Sequence, residues 1–166
     1  MPHGDGEMTY ADGSTLKSEF VNGEIGNYGV YRGANGERYD GDLKDGVPHG
    51  EGLYISENGE VYEGGFVEGK RSGQGELLLP DGTVIKAEFE EDELNGFGEA
   101  VFPDGGSYEG QLKDDMVTGE GTYRAPDGTV YKGGFISNRP DGKFQVTRTD
   151  GSIATEVWKN GEKTIW

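Results

Sequence analysis

Asp12-Gly13, Asn35-Gly36, Asn58-Gly59, Asp81-Gly82, Asp104-Gly105, Asp127-Gly128 and Asp150-Gly151 follow one another at a constant step of 23 residues. Seven turn signals without one insertion or deletion confine the chain to a repeat architecture, in which each unit packs on its neighbours. Other columns keep the same step. Three residues after each Gly stand Leu16, Tyr39, Tyr62, Ile85, Tyr108, Tyr131 and Ala154, and four further on stand Phe20, Leu43, Phe66, Phe89, Leu112, Phe135 and Trp158. Between them lie Ser18, Gly41, Gly64, Ala87, Gly110, Gly133 and Glu156. A Gly-x-Gly pair opens most repeats (Gly4/Gly6, Gly50/Gly52, Gly73/Gly75, Gly96/Gly98, Gly119/Gly121), whereas the second keeps only Gly29 and the seventh only Gly142.

Each repeat reads as a β-hairpin, because Asp-Gly or Asn-Gly between short alternating runs is a strong hairpin signal. Pro80, Pro103 and Pro126 precede three of the turns and preset φ for a type I turn, with Gly in the left-handed bulge position. The resulting three-residue loop fixes the register: Ser56 opposes Glu60, Tyr54 opposes Tyr62, Gly52 opposes Gly64 and Gly50 opposes Phe66. This register gathers the repeated residues onto one face, where rings can lie across the spaces above Gly. Glu37, Glu63, Glu109 and Lys132 are assigned to the other face, in water. A second turn joins the repeats at Asn22-Gly23, Asp45-Gly46, Glu68-Gly69, Glu91-Asp92, Asp114-Asp115 and Ser137-Asn138. The expected fold is all-β, an elongated single-layer antiparallel sheet of stacked hairpins with about fourteen strands, roughly 65 Å long at ~4.8 Å per strand.

These columns resemble the MORN (membrane occupation and recognition nexus) repeat. Gly96 to Gly119 reads GFGEAVFPDGGSYEGQLKDDMVTG and the third repeat opens GEGLYISENGEVYEGGFVEGKRSG. Both are similar to the family pattern of Gly-x-Gly, Tyr, Asp-Gly, Tyr-Glu-Gly, Phe or Trp, and an Asn-Gly turn. The resemblance covers about residues 4–164 and implies a single-layer sheet with a curved aromatic face. It also implies a protein-interaction or dimerisation module, with phosphoinositide binding as a proposed alternative and lipid kinases or SET-type methyltransferases as fusion partners. A single domain over 1–166 follows, with units at about 4–26, 27–49, 50–72, 73–95, 96–118 and 119–141. Residues 142–166 are read as a C-terminal capping repeat, because Phe144, Ala154 and Glu156 replace Gly, Tyr and Gly, and Trp158 and Trp166 can cover the end of the aromatic face. The first and fourth repeats match less well.

Composition narrows the function. Of 166 residues, 32 are Gly, 31% are hydrophobic and 11% aromatic, and that aromatic share argues against disorder. There are 15 basic and 32 acidic residues, a net charge of −17, spread as −10 over residues 1–83 and −7 over 84–166. Such a field repels phosphate backbones and anionic lipid, so nucleic acid is excluded and membrane recruitment disfavoured, with Lys70-Arg71 the one basic pair. The chain has no Cys, hence neither disulfide nor thiolate site. No apolar run approaches a membrane span and Met1-Pro2-His3-Gly4-Asp5 does not read as a secretory signal, so a cytoplasmic location is expected.

No active site, metal site or cofactor motif is expected. His3 stands near the terminus, and His49, just before Gly50, is better suited to a turn role than to a catalytic triad. Asp40 to Glu51 superficially resembles a calcium loop, but Gly46 falls at position 7 instead of 6 and Lys44 takes a ligand position. The acidic run from Glu90 to Glu93 reads as a solvated turn. The Gly-x-Gly pairs lack the context of a dinucleotide site, and there is no phosphate loop.

A single layer has no second layer to bury its aromatic face. That face therefore curls on itself, binds a partner peptide or helix, or pairs with a second copy in a homodimer. The candidate contact residues are Tyr31, Tyr39, Tyr54, Tyr62, Phe66, Tyr108, Tyr123, Tyr131 and Phe135; in the competing view these rings pack only on one another and on the Gly floor. The expected function is a non-enzymatic scaffold for protein interaction or self-association. An engineered repeat without natural function is a further alternative, consistent with motifs that never slip.

Overall fold

Each Asp-Gly or Asn-Gly site closes a hairpin in the computed structural model, which describes residues 3–164. In the third repeat Ser56 N donates to Glu60 O (2.9 Å) and Gly59 N to Ser56 O (3.1 Å), with Gly59 at φ 88°. The Asp or Asn side chain completes the turn. Asp12 accepts from Ser14 N, Asp81 from Thr83 N, Asp104 from Gly106 N, Asp127 from Thr129 N and Asp150 from Ser152 N. Asn35 and Asn58 do the same for Glu37 and Glu60.

The described residues form fifteen strands: β1 Gly4–Thr9, β2 Thr15–Val21, β3 Glu24–Arg32, β4 Arg38–Lys44, β5 Val47–Ile55, β6 Val61–Val67, β7 Lys70–Leu78, β8 Val84–Glu90, β9 Glu93–Val101, β10 Ser107–Lys113, β11 Met116–Arg124, β12 Val130–Ile136, β13 Arg139–Thr147, β14 Ile153–Lys159 and β15 Glu162–Lys163. They lie in sequence order in one open antiparallel sheet, with no helix among the described residues. The expected register is present: Tyr54 faces Tyr62, Gly52 faces Gly64 and Gly50 faces Phe66. The count exceeds fourteen because Asn160 and Gly161, at φ 52° and 87°, make one more inter-repeat turn and start β15.

The joints between repeats add a feature that alternation alone does not reveal. From β6 to β7 the pairing runs Gly64 with Gly75, then Phe66 with Arg71, so β7 carries two extra residues opposite Gly65. The same bulge follows Ser18, Gly41, Gly110 and Gly133. The first Gly of three Gly-x-Gly pairs belongs here: Gly50, Gly73 and Gly119 take φ of 95°, 78° and 64°, where a side chain is strained. The interrupted ladder leaves a carbonyl free, and the buried tyrosine uses it. Tyr39 donates to Asp42 O (2.6 Å), Tyr62 to Gly65 O (3.1 Å) and Tyr108 to Gln111 O (3.2 Å). The second Gly lies under the ring: a Cβ on Gly52 would sit 2.6 Å from Tyr39 Oη, and one on Gly121 2.6 Å from Tyr108 Cε2.

The inter-repeat turns also bond backwards by one repeat. Asp92 accepts from Arg71 N (2.8 Å), Asp115 from Leu94 N (2.9 Å) and Asn138 from Val117 N (2.7 Å). Where the earlier residue is Pro48 or Pro140, it has no N–H to offer, and the later turn carries Gly69 or Gly161 instead. Those glycines donate their own N–H to Pro48 O and Pro140 O, each at 2.9 Å. His49 accepts from Glu68 N, a turn contact. Asp92, read above as part of a solvated turn, and Asp115 are thus ties between neighbouring repeats.

The contacts group the chain into two compact blocks, an N-terminal block of Met1–Pro80 with Phe89–Asp92 and a C-terminal block of Asp81–Glu88 with Glu93–Trp166. In the N-terminal block the core is an edge-to-face ladder: Tyr39 to Phe66 (5.2 Å), Phe66 to Tyr62 (5.3 Å) and Tyr62 to Phe89 (4.9 Å). Each such pair adds about 0.5–1.5 kcal/mol to the burial of the rings. In the C-terminal block Tyr108 meets Phe135 (5.3 Å), Phe135 meets Phe144 (5.3 Å) and Phe144 meets Trp158 (6.3 Å). Glu156, at a Gly position, is held by Lys163 (2.7 Å) and Arg148 (3.5 Å) with its side chain only 9% exposed. Trp158 stands at the end of this ring series, against Phe144 and Tyr131; Trp166 lies outside the described residues.

Candidate functional site

The nine candidate rings fall into two depths. Tyr39, Tyr62, Phe66, Tyr108 and Phe135 are buried, the three tyrosines over glycines and the rings against one another. Tyr31, Tyr54, Tyr123 and Tyr131 are half-buried on the same face, one residue pair across the sheet. The deep rings form a floor, and the half-buried ones reach the surface above it.

In the N-terminal block that floor opens into a cavity of about 550 Å³. Leu16, Tyr39, Leu43, Tyr62, Phe66 and Leu77 line its base, and Tyr10, Tyr31 and Tyr54 its upper wall. Ser56 and Glu60 reach it beside the hairpin turns, and Pro48, Arg71 and Asp92 at the inter-repeat turns. Tyr10 and Tyr31 meet edge-on with ring centroids 6.5 Å apart. The Tyr54 hydroxyl donates to Glu37 Oε1 at 2.9 Å. Glu37 therefore does not belong to the outer face assigned to it: it stands two residues before Tyr39, and residues two apart in a strand share a face. Glu63, Glu109 and Lys132 are exposed as expected.

Electrostatics separates the tyrosines. Burial pushes the Tyr39 and Tyr62 hydroxyls up to about 12. Tyr54 also reaches about 12, through burial first and then the bond to the Glu37 carboxylate, which favours the protonated phenol. Arg71 lies with its guanidinium carbon 5.6 Å from the Tyr62 ring centre and 5.1 Å from that of Phe89. It is held there by Asp92, through Oδ1 (3.4 Å) and the backbone carbonyl (2.6 Å). Cation and rings stabilise each other by about 0.5–2 kcal/mol.

In the C-terminal block the corresponding rings are more tightly partnered. Tyr123 sits between Phe102 (6.3 Å) and Tyr131 (6.2 Å), and Tyr131 meets Trp158 edge-on (6.4 Å). A smaller cavity of about 240 Å³ remains, walled by these rings with Phe135, Pro140 and Phe144. The sequence-based candidates missed Tyr10 and Arg71. Both were within reach of the alternation rule, Tyr10 two residues beyond Met8 and Arg71 four before Gly75. Arg71 was set aside as half of a basic pair, although the bulge, by adding two residues, leaves its parity unchanged.

The profile described as MORN repeat matches residues 1–15, 17–38, 39–61, 62–84, 86–107 and 108–130. Among solved structures, the SAS-4 (dCPAP) TCP domain of Drosophila melanogaster, in complex with a proline-rich motif of Ana2 (dSTIL), superposes with a TM-score of 0.55 at 15% identity, over 93% of this chain and 90% of that one. The TCP10 domain of Danio rerio CPAP, in complex with a peptide of STIL, gives 0.54 at 18% identity, over 96% of this chain and 67% of that one. These identities establish likeness of fold alone. No match was found among curated protein sequences. Six consecutive matches along most of the chain, on hairpins with the observed Gly floor and ring column, make this protein a member of the MORN repeat family.

Proposed function

We propose that this chain is a non-enzymatic interaction scaffold, and that the groove of its N-terminal block holds an extended segment of a protein partner. The observation that carries this is the cavity of about 550 Å³ over a fixed aromatic floor, with Tyr10, Tyr31 and Tyr54 half-buried or exposed along its wall. Its size lies within the ~300–1,000 Å³ of ordinary ligand sites. Rings held rigid before binding lose little conformational entropy when a partner arrives, which is why such rings dominate interfaces. The fold neighbours in complex with peptides support the reading, as does the wall chemistry: aromatic-lined grooves suit proline-rich segments that are already extended. The net charge opposes anionic lipid as the occupant.

Titration with fluorescent oligoproline peptides tests the proposal. Tyr31→Ser and Tyr54→Ser should each weaken binding by roughly 30-fold, about 2 kcal/mol, while the fold survives. Tyr62→Ser should instead unfold the block. Equal loss of binding and stability at Tyr54 would mean that the ring is only part of the core. A dimer mass in light scattering, abolished by Tyr54→Ser, would assign the groove to a second copy and overturn the peptide reading.

A further inference from the structure

Three tyrosine rings and two carboxylates meet at the hairpin-turn end of the N-terminal groove, and we propose that this corner receives a cationic side chain, lysine or arginine, of the bound peptide. The inference rests on the peptide-groove reading and specifies its ligand. Tyr10, 39% exposed, and Tyr31 supply two adjacent rings. Gly33 separates Tyr31 from Glu37: a Cβ there would stand 3.5 Å from the Tyr31 ring and 3.2 Å from Glu37 Cβ. Glu37 in turn accepts the Tyr54 hydroxyl, and Glu60 lines the Tyr54 cavity from the hairpin turn before β6. Ring, carboxylate, ring and carboxylate are thus contiguous along one wall.

Among the described residues neither Glu37 nor Glu60 has an ion-pair partner. A cation within about 6 Å of a ring centre is attracted by the negative face of the ring, and a carboxylate alongside adds its full charge. A neutral or anionic side chain gains neither. The same block already holds one such arrangement, Arg71 over Tyr62 and Phe89. That guanidinium is satisfied by Asp92 and stands at the inter-repeat end of its strand; its charge reaches Tyr54, where it counts for less than burial and the bond to Glu37. The long-range field agrees with the local one: the block carries 18 acidic and 6 basic residues, a net −12, so a basic segment is drawn to it.

The test uses three nine-residue oligoprolines that differ only in the central residue, arginine, glutamine or glutamate, titrated against the intact chain by fluorescence anisotropy. The arginine peptide should bind about tenfold more tightly than the glutamine peptide, with glutamate weakest, and added salt should narrow the gap. In the double variant Glu37→Gln, Glu60→Gln the arginine preference should vanish; the single variant Glu60→Gln, checked by thermal melting, gives the same readout at half the change. Equal affinity for the arginine and glutamine peptides would overturn the inference while leaving the groove reading in place. Failure of all three to bind would overturn both.

Discussion

In the C-terminal block Tyr123 has Phe102 on one side and Tyr131 on the other; in the N-terminal block the equivalent Tyr54 has Gly33 where Phe102 stands. Likewise Phe144 occupies a column that is Gly52 and Gly75 in the N-terminal block, and its ring closes on Phe135 and Trp158. The backbone scheme is shared, down to the bulge and the tyrosine bonded to its free carbonyl. With Phe102 beside Tyr123 and Phe144 in a column that is Gly throughout the N-terminal block, the C-terminal cavity is about 240 Å³ against about 550 Å³. Charge follows the same division, −12 in the N-terminal block and, with 14 acidic and 9 basic residues, −5 in the C-terminal one. A repeat array can therefore combine a packed segment and an open one without changing its hairpin.

The sharpest way to probe that difference is to cut rings in equivalent places. Tyr62→Ala and Tyr108→Ala remove floor residues of 1% and 3% exposure, and each should cost about 3–5 kcal/mol in urea unfolding. The wall should separate the blocks: Tyr54→Ala should cost about 1 kcal/mol, through its bond to Glu37, and Tyr123→Ala about 2 kcal/mol because two ring contacts go with it. Equal costs would mean that Tyr54 is as tightly packed as Tyr123.

Alkaline pH offers an independent comparison. Tyr39, Tyr54 and Tyr62 in the N-terminal block and Tyr108 in the C-terminal block are raised to about 12 from an ordinary 10.0. A phenol with a raised folded value gives up its proton more readily when unfolded, so stability is full below pH 10 and is lost as pH rises towards 12. The N-terminal block, with three such groups to one, should lose hydrogen-exchange protection first. Simultaneous loss in both blocks would remove this distinction.

Smaller effects test the ties between repeats. Asp115→Ala removes the acceptor of Leu94 N–H and should cost about 1 kcal/mol in thermal or urea melts. Gly69→Asp should bring no gain, because the corresponding position is Pro48, which lacks a donor. A stabilised Gly69→Asp variant would show that the turn carboxylates act through general electrostatics and not through this bond.

Much of the fold was legible because turn chemistry is local. Asp-Gly fixed the loop, the loop length fixed the register, and the register fixed the shared face of Tyr54, Tyr62, Gly52 and Gly64. The bulge was hidden, since two inserted residues preserve alternation and leave no mismatch in the columns. The coupling of Pro48 to Gly69 and of Arg71 to Asp92 lies at a spacing of 21 residues that shows no pattern until the hydrogen bonds are known. For the site, a column of rings reveals a face but not a depth. Whether Tyr54 is floor or wall depends on what stands beside it in the preceding repeat, and the empty place there is a glycine, a residue that each hairpin already contains in quantity. Glu37 was misplaced for a simpler reason, its charge having been given more weight than its parity with Tyr39.

The central claim, an open groove in the N-terminal block and a packed face in the C-terminal one, is tested most directly by mapping amide chemical shifts of the labelled chain during titration with the arginine-centred oligoproline. The account predicts perturbations clustered around Tyr10, Tyr31, Glu37, Tyr54 and Glu60, with Tyr123, Tyr131 and Trp158 unmoved. Shifts centred on Tyr123 and Trp158, or none in either block, would contradict it.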